Sequence, residues 1–217
     1  MRTVLTSGFL LALFAVVGTG LVAFTFEGTK ERIADNERNA LLANINQLLP
    51  RERYDNAIYE DRVYVIDRAQ LGTPEPVTIY RARKQGQPVA AVLMPTAPDG
   101  YSGPIRLIVG INYDGTLAGV RVLAHKETPG LGDAIDVERS DWVHGFEERS
   151  LGNPEEGRWK VKKDGGVFDQ FTGATITPRA VVKAVYHSLK YFESHRDELF
   201  SAPAQQEPGK DAGHGGR

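Results

Sequence analysis

The chain has 217 residues, 25% of them charged and 41% apolar, with a formal net charge of −2. That fits one globular domain of ordinary size, alone or with an appendage, and excludes the broad positive field of a nucleic-acid binder. The sequence contains no cysteine, which excludes disulfides, thiolate zinc sites, iron–sulfur ligation and cysteine nucleophiles.

From Val4 to Phe26 (VLTSGFLLALFAVVGTGLVAFTF) no residue is charged. A helix of that length spans a hydrocarbon core of roughly 30 Å. A signal peptide has an apolar region of roughly 7–15 residues followed by an Ala-x-Ala-like cleavage site. This run is longer, and Val22-Ala23-Phe24 is a poor cleavage site, so residues 1–27 are expected to be an uncleaved transmembrane anchor. Arg2 flanks it on one side and Lys30, Arg32 and Arg38 on the other, with Glu27 and Glu31 interleaved. Counted alone, the positive-inside rule puts the C-terminal part in the cytoplasm. Within the anchor, Gly18-Thr19-Gly20-Leu21-Val22-Ala23 formally fits G-x-G-x-x-A, but it lies inside the apolar run rather than at a strand-to-helix turn. Such small residues either let another membrane helix approach closely or reflect how common glycine is in membrane helices.

Residues 28–50 are expected to form a stalk helix, with a partial stripe of Ile33, Leu41, Leu42, Ile45, Leu48 and Leu49 and an end at Pro50. Strands follow over Arg62–Ile66, Pro76–Arg83 and Pro88–Met94. Ile105–Tyr113 and Thr116–Ala124 flank Asp114-Gly115, which predicts a hairpin with a two-residue type I′ turn. Ile105, Leu107, Val109, Ile111 and Tyr113 share one face. Ser140–Leu151 suggests a short helix, and Lys160–Val167 holds a Gly-Gly turn. Pro178–Phe200 reads as a long helix with a Val181, Val185, Leu189, Phe192 stripe. Thr177 is its expected N-cap and Pro178 its first residue. The polar, Gly/Pro-rich segment 201–217 predicts a disordered tail. The fold class is α+β: an antiparallel sheet with packed helices, over residues 51–200, behind a single N-terminal transmembrane helix.

Three loop segments concentrate small residues. GYSGPI (Gly100–Ile105) precedes the hairpin and suits either a strand entry or close approach by a ligand. HKETPGLG (His125–Gly132) supplies a carboxylate, a hydroxyl and backbone amides that could face a polar ring edge, or is a structural loop. The third is Asp169-Gln170-Phe171-Thr172-Gly173-Ala174-Thr175-Ile176-Thr177, which leads into a helix N-terminus that favours an anion. Capping by Thr177 does not require Thr-Gly-Ala-Thr upstream. The five histidines have no tight metal spacing except His187 and His195, near a helix end, where surface positions are expected. There is no P-loop, Gly-x-Ser-x-Gly or zinc signature.

Asp-x-x-Thr-Gly-Ala-Thr resembles the motif at which a flavin transferase attaches FMN by a phosphoester to the last threonine. GYSGPI and HKETPGLGD resemble the other two signatures of the FMN-binding domain family, which is shared by the G subunit of the Rnf (Rsx) electron-transport complex and the C subunit of the sodium-pumping NADH:quinone reductase. The resemblance spans residues 1–200, and the loop HKETPGLGD, the length and the short anchor are more similar to the Rnf member. Thr172 stands where relatives often have Ser.

The resemblance implies covalent FMN on Thr175, with Thr172, Gly173, Ala174 and Thr177 at the phosphate end and Asp169 read by the transferase. Tyr101, Ser102, Glu127, Thr128, Gly130 and Leu131 are implied around the ribityl chain and ring. It also implies partner subunits, an electron relay within an ion-translocating complex that links ferredoxin and NAD, and no independent enzyme activity. The transferase acts outside the cytoplasm in this family, so the bulk of the chain is expected on the periplasmic side of the bacterial inner membrane, against the charge count. The rival readings are the quinone-reductase member and a non-redox anchored scaffold.

Overall fold

A computed structural model describes residues 2–206. The chain divides into two units, residues 1–43 and 44–217, and the boundary falls inside the segment expected to be a stalk.

One helix, α1 (Arg2–Leu48), runs through the whole first unit. Its Leu5–Phe26 stretch is 22 residues long, apolar and unburied, which gives about 33 Å at 1.5 Å per residue, enough to cross a bilayer. The Thr25 hydroxyl donates to the Leu21 carbonyl four residues back at 2.8 Å. That contact satisfies a polar group inside an apolar stretch.

The second unit is an antiparallel sheet with a long helix on it. The strands are β1 (Arg62–Val65), β2 (Val77–Lys84), β3 (Gln87–Leu93), β4 (Thr96–Ala97), β5 (Ile105–Asn112) and β6 (Leu117–Ala124). Their order is β1-β2-β3-β5-β4, with β6 also paired to β5. The alternating residues Ile105, Leu107, Val109 and Ile111 are fully buried, whereas Tyr113 lies beyond the strand and is partly exposed. They meet Val181, Val185, Leu189 and Phe192 of α3 (Ile176–Ser201) in one hydrophobic core. The other face of the sheet receives the last turn of α1. Gly110 and Gly119 are cross-strand partners, and a Cβ on Gly119 would stand 2.9 Å from Leu48 Cδ2. A short helix, α2 (Arg68–Leu71), is capped by Asp67, whose side chain accepts the Gln70 N–H at 2.9 Å.

The far end of α3 is pinned electrostatically. Arg81, only 2% exposed, pairs with Asp61 and donates to the carbonyls of Leu199 and Ala202. Arg83 also pairs with Asp61 and donates to the Phe200 carbonyl at 2.7 Å. Cations here satisfy the free carbonyls of a helix C-terminus and oppose its dipole.

Three local expectations change. The β5–β6 loop has three residues, not two. The Gly115 N–H donates to Asn112 O at 2.9 Å and the Asn112 N–H to Thr116 O at 2.8 Å. Gly115 has φ 88° and Asp114 keeps a negative φ, as in a type I turn followed by a left-handed glycine rather than type I′. Asp114 gains from this, because its carboxylate accepts both the N–H and the hydroxyl of Thr116, and those bonds hold its pKa below the ordinary carboxylate value. The second change is at the tail. Residues 202–206 are described and lie on the β1 edge, where Gln205 exchanges bonds with Arg62 O and Tyr64 N at 2.8 and 2.9 Å. Residues 207–217 of the expected tail lie outside the described residues. The third is the start of α3, one turn of which belongs to the site.

Candidate functional site

The three glycine-rich segments converge. A cleft of about 500 Å³ is lined by Tyr101 from the first, by Glu127, Thr128, Leu131 and Gly132 from the second, and by Gly173, Ala174, Thr175, Ile176 and Thr177 from the third. Lys163 completes the lining and is its single cation among the described residues. Thr172, Asp169, Ser102 and Gly130 of the expected site do not line the cleft. Thr172 and Asp169 are exposed, Ser102 donates its N–H to Glu127 Oε1, and Gly130 sits in a left-handed turn with φ 77°. Lys163, Gly132 and Ile176 were not expected from sequence. For Lys163 the one available signal was its place beside the Gly165-Gly166 turn.

The third segment is shaped by its glycine. The Ala174 N–H donates to Phe171 O at 3.2 Å, closing a four-residue turn. Gly173 sits at its third position with φ 80°, the left-handed geometry that a type II turn requires there. Below the turn, Trp142 Nε1 donates to the Asp169 carbonyl at 2.8 Å, and its ring meets the Phe171 ring edge-on at 5.3 Å. Trp142 itself comes from a 3₁₀ turn, Asp141–Phe146, capped by Ser140. Asp169 also pairs with Lys162 at 2.6 Å, but both are largely exposed, so that pair contributes little.

Helix α3 begins at Ile176, and Thr177 is not its cap. The cap position is Thr175, with helical dihedrals (φ −75°, ψ −27°) and no side-chain capping bond. Pro178 is therefore the third helical residue. It is tolerated because first-turn N–H groups have no partner within the helix. Thr177 is fully buried, and its hydroxyl donates to Glu127 Oε2. The tertiary partner outcompetes the local cap. Thr172 is exposed, Thr175 is half-buried at the cleft, and among the described residues no base is hydrogen-bonded to the Thr175 hydroxyl.

The second segment is braced from behind. The Glu127 N–H donates to His125 Nδ1 at 3.0 Å, and His125 Nε2 lies 2.9 Å from Asp136 Oδ2. On the flank, Arg179 donates to both oxygens of Asp164 at 2.6 and 2.7 Å. This ties the Lys163 loop to the first turn of α3. The Arg179 guanidinium holds the Asp164 carboxyl below its ordinary pKa, and Asp164 in turn raises that of Arg179.

The lining suits a phosphate-bearing planar ligand. One end offers a helix N-terminus, Lys163 and the uncluttered Gly173-Ala174 backbone. Three of the exposed large apolar residues outside α1 (Tyr101, Leu131 and Ile176) rim the same cleft. Among the described residues no cluster of metal-binding side chains occurs.

Residues 100–190, which include this whole site, match the FMN-binding domain family, and residues 1–48 match the RnfG N-terminal region. Several relatives are named as the G subunit of an ion-translocating oxidoreductase complex. The Pseudoalteromonas atlantica protein is 52% identical over 196 residues, covering 90% of this chain and 91% of the relative. The Pseudomonas aeruginosa (strain UCBPP-PA14) protein is 49% identical over 213 residues, covering 98% and 97%. The Vibrio cholerae (strain O395) protein is 50% identical over 197 residues, covering 91% and 94%.

Proposed function

The chain belongs to the RnfG family of ion-translocating oxidoreductase complexes, and from that premise we propose that it is the membrane-anchored flavoprotein subunit of such a complex, relaying electrons through FMN esterified to Thr175. Residues 1–27 anchor it, 28–50 form the stalk and 51–200 the FMN-binding domain, which faces the periplasm from the inner membrane. The other subunits of the complex and a flavin transferase are its partners.

One observation carries the choice of threonine. Of the two threonine hydroxyls nearest the start of α3 in the cleft, that of Thr177 is consumed by Glu127, while that of Thr175 makes no capping bond. An unactivated threonine hydroxyl is a weak nucleophile, and a phosphate ester forms only from an activated phosphoryl donor. A flavin dinucleotide meets that need. The Thr175 Oγ–P bond forms, the pyrophosphate P–O bond breaks, a nucleoside monophosphate leaves, and the hydroxyl proton passes to a base of the transferase.

When bound, FMN supplies the redox chemistry. The residues of this chain hold and shield it. Lys163 and the α3 N-terminus face the phosphodiester, Gly173 and Ala174 leave it room, and Tyr101, Leu131 and Ile176 give an apolar rim for the ring. Thr172 and Asp169 present the attachment segment to the transferase. A tether removes the dissociation equilibrium, so occupancy does not depend on free flavin.

Mass spectrometry of the protein produced with flavin transferase tests this. FMN mass is expected on the peptide 168–179 at Thr175. An unmodified peptide, or FMN elsewhere, defeats the assignment, and a colourless protein favours the scaffold reading. A reporter fused after residue 200 should be active only if periplasmic.

A further inference from the structure

Glu127 is a carboxylate only 4% exposed, with no cation paired to it among the described residues. Burying an unpaired charge is costly unless hydrogen bonds compensate. Both oxygens are engaged. Oε1 accepts the Ser102 N–H at 2.9 Å and Oε2 accepts the Thr177 hydroxyl. One side chain thus joins the three glycine-rich segments.

Two glycines make its slot. A Cβ on Gly132 would stand 2.9 Å from Glu127 Cβ and 3.0 Å from both Glu127 Oε2 and Thr177 Oγ1. A Cβ on Gly100 would meet the Gly103 carbonyl oxygen first, at 2.2 Å, and would also stand 3.0 Å from Glu127 Oε1. The spacing of these glycines around a single carboxylate argues that its seat is built.

The start of α3 lacks the usual local fixation, since Thr175 at the cap makes no capping bond. The Glu127–Thr177 bond supplies that fixation from outside. Residues two apart on a helix point about 160° away from each other. Anchoring Thr177 to Glu127 therefore fixes the rotation at which Thr175 meets the cleft that both residues line.

We infer that Glu127 is a positioning residue for flavin attachment: through Thr177 it sets the rotation of the first turn of α3 and presents the Thr175 hydroxyl to the incoming phosphoryl group. This rests on the reading that Thr175 carries FMN. Glu127 and Thr177 act on each other here, and their effect reaches the flavin through Thr175. No new bond chemistry is invoked beyond the transfer already balanced for Thr175.

The test uses the full-length chain with purified flavin transferase and flavin dinucleotide. It reads the initial rate of FMN gain at Thr175 by peptide mass. Thr177→Ser keeps the hydroxyl and should label within about twofold of wild type, while Thr177→Val and Glu127→Leu should each slow labelling at least about tenfold, as misplacement of a reacting group does. Thr177→Val and Glu127→Leu each leave a buried polar partner unsatisfied, so folding is checked by thermal melting. The double variant Glu127→Leu/Thr177→Val removes both polar groups together and keeps the test decisive where a single variant unfolds. It should be folded and label no slower than Glu127→Leu, because both changes break the Glu127–Thr177 bond and the Ser102 N–H is freed equally in Glu127→Leu and in the double variant. A wild-type rate in the folded double variant overturns the inference. Absence of label from Thr175 in the wild type overturns the attachment reading instead, so the two failures are distinct.

Discussion

Trp142 holds Asp169 by its backbone. The indole N–H donates to the Asp169 carbonyl at 2.8 Å, across 27 residues of sequence. The same ring supports Phe171 and abuts Phe146 at 5.2 Å. The segment from Asp169 to Thr175 therefore rests on an aromatic floor rather than hanging free, and its first residue is fixed by a main-chain contact that leaves the Asp169 side chain exposed.

Trp142→Phe keeps much of the packing and removes the hydrogen bond. It should cost about 1 kcal/mol in stability. Amide exchange at residues 169–174 should rise more than in β5. Thermal denaturation and hydrogen exchange read the two effects, and unchanged exchange in the segment would contradict the bracing role.

Thr175→Ala removes a hydroxyl that caps nothing. Stability should stay within about 0.5 kcal/mol of wild type, as for a neutral surface change. In-gel flavin fluorescence should vanish. Thr172→Val should retain the fluorescence, because the proposed acceptor is the Thr175 hydroxyl.

Gly173→Ala tests the turn. The space is open, with Leu131 Cδ2 at 3.5 Å from the added Cβ, so the cost is the backbone alone. At φ 80° an L-residue should lose roughly 1–2 kcal/mol. Denaturant titration would show it, and a neutral result would mean the turn adapts.

Asp61→Asn should be among the most damaging single changes. It removes the carboxylate shared by Arg81 and Arg83 and leaves a guanidinium that is 2% exposed without its anion. Breaking a buried pair from one side costs about 3–5 kcal/mol. Chemical denaturation measures it.

Acid should loosen the contact between α3 and the Lys163 loop. Asp164 is held below its ordinary value of 3.8 by Arg179, so the carboxylate is favoured in the folded state. Its contribution is present above 3.8, the value it has unfolded, and is lost as pH falls through the lower folded pKa. An NMR titration of the Asp164 carboxyl should give a midpoint below 3.8, returning upward in Arg179→Gln.

Features written in near neighbours could be read from the chain alone. An uncharged run of membrane length, the alternation of Ile105, Leu107, Val109 and Ile111, and the Val181–Phe192 stripe each fix how a segment hides apolar surface. That periodicity survives any arrangement of the other elements. The three glycine-rich segments were equally legible as places where backbone must bend or be approached. Which groups meet was settled by the assembled fold. Thr177 has the composition of a cap, yet Glu127, 50 residues away, captures its hydroxyl. Asp-Gly has the composition of a type I′ turn, yet Asp114 keeps negative φ, where its carboxylate bonds Thr116. Lys163 joins the cleft because Asp164 beside it is clamped by Arg179. A hydrogen bond is directional and short-ranged, so its partner is chosen only when distant segments are brought into contact. Local propensity states what a threonine or an aspartate can do, and tertiary contact selects which of those options is used.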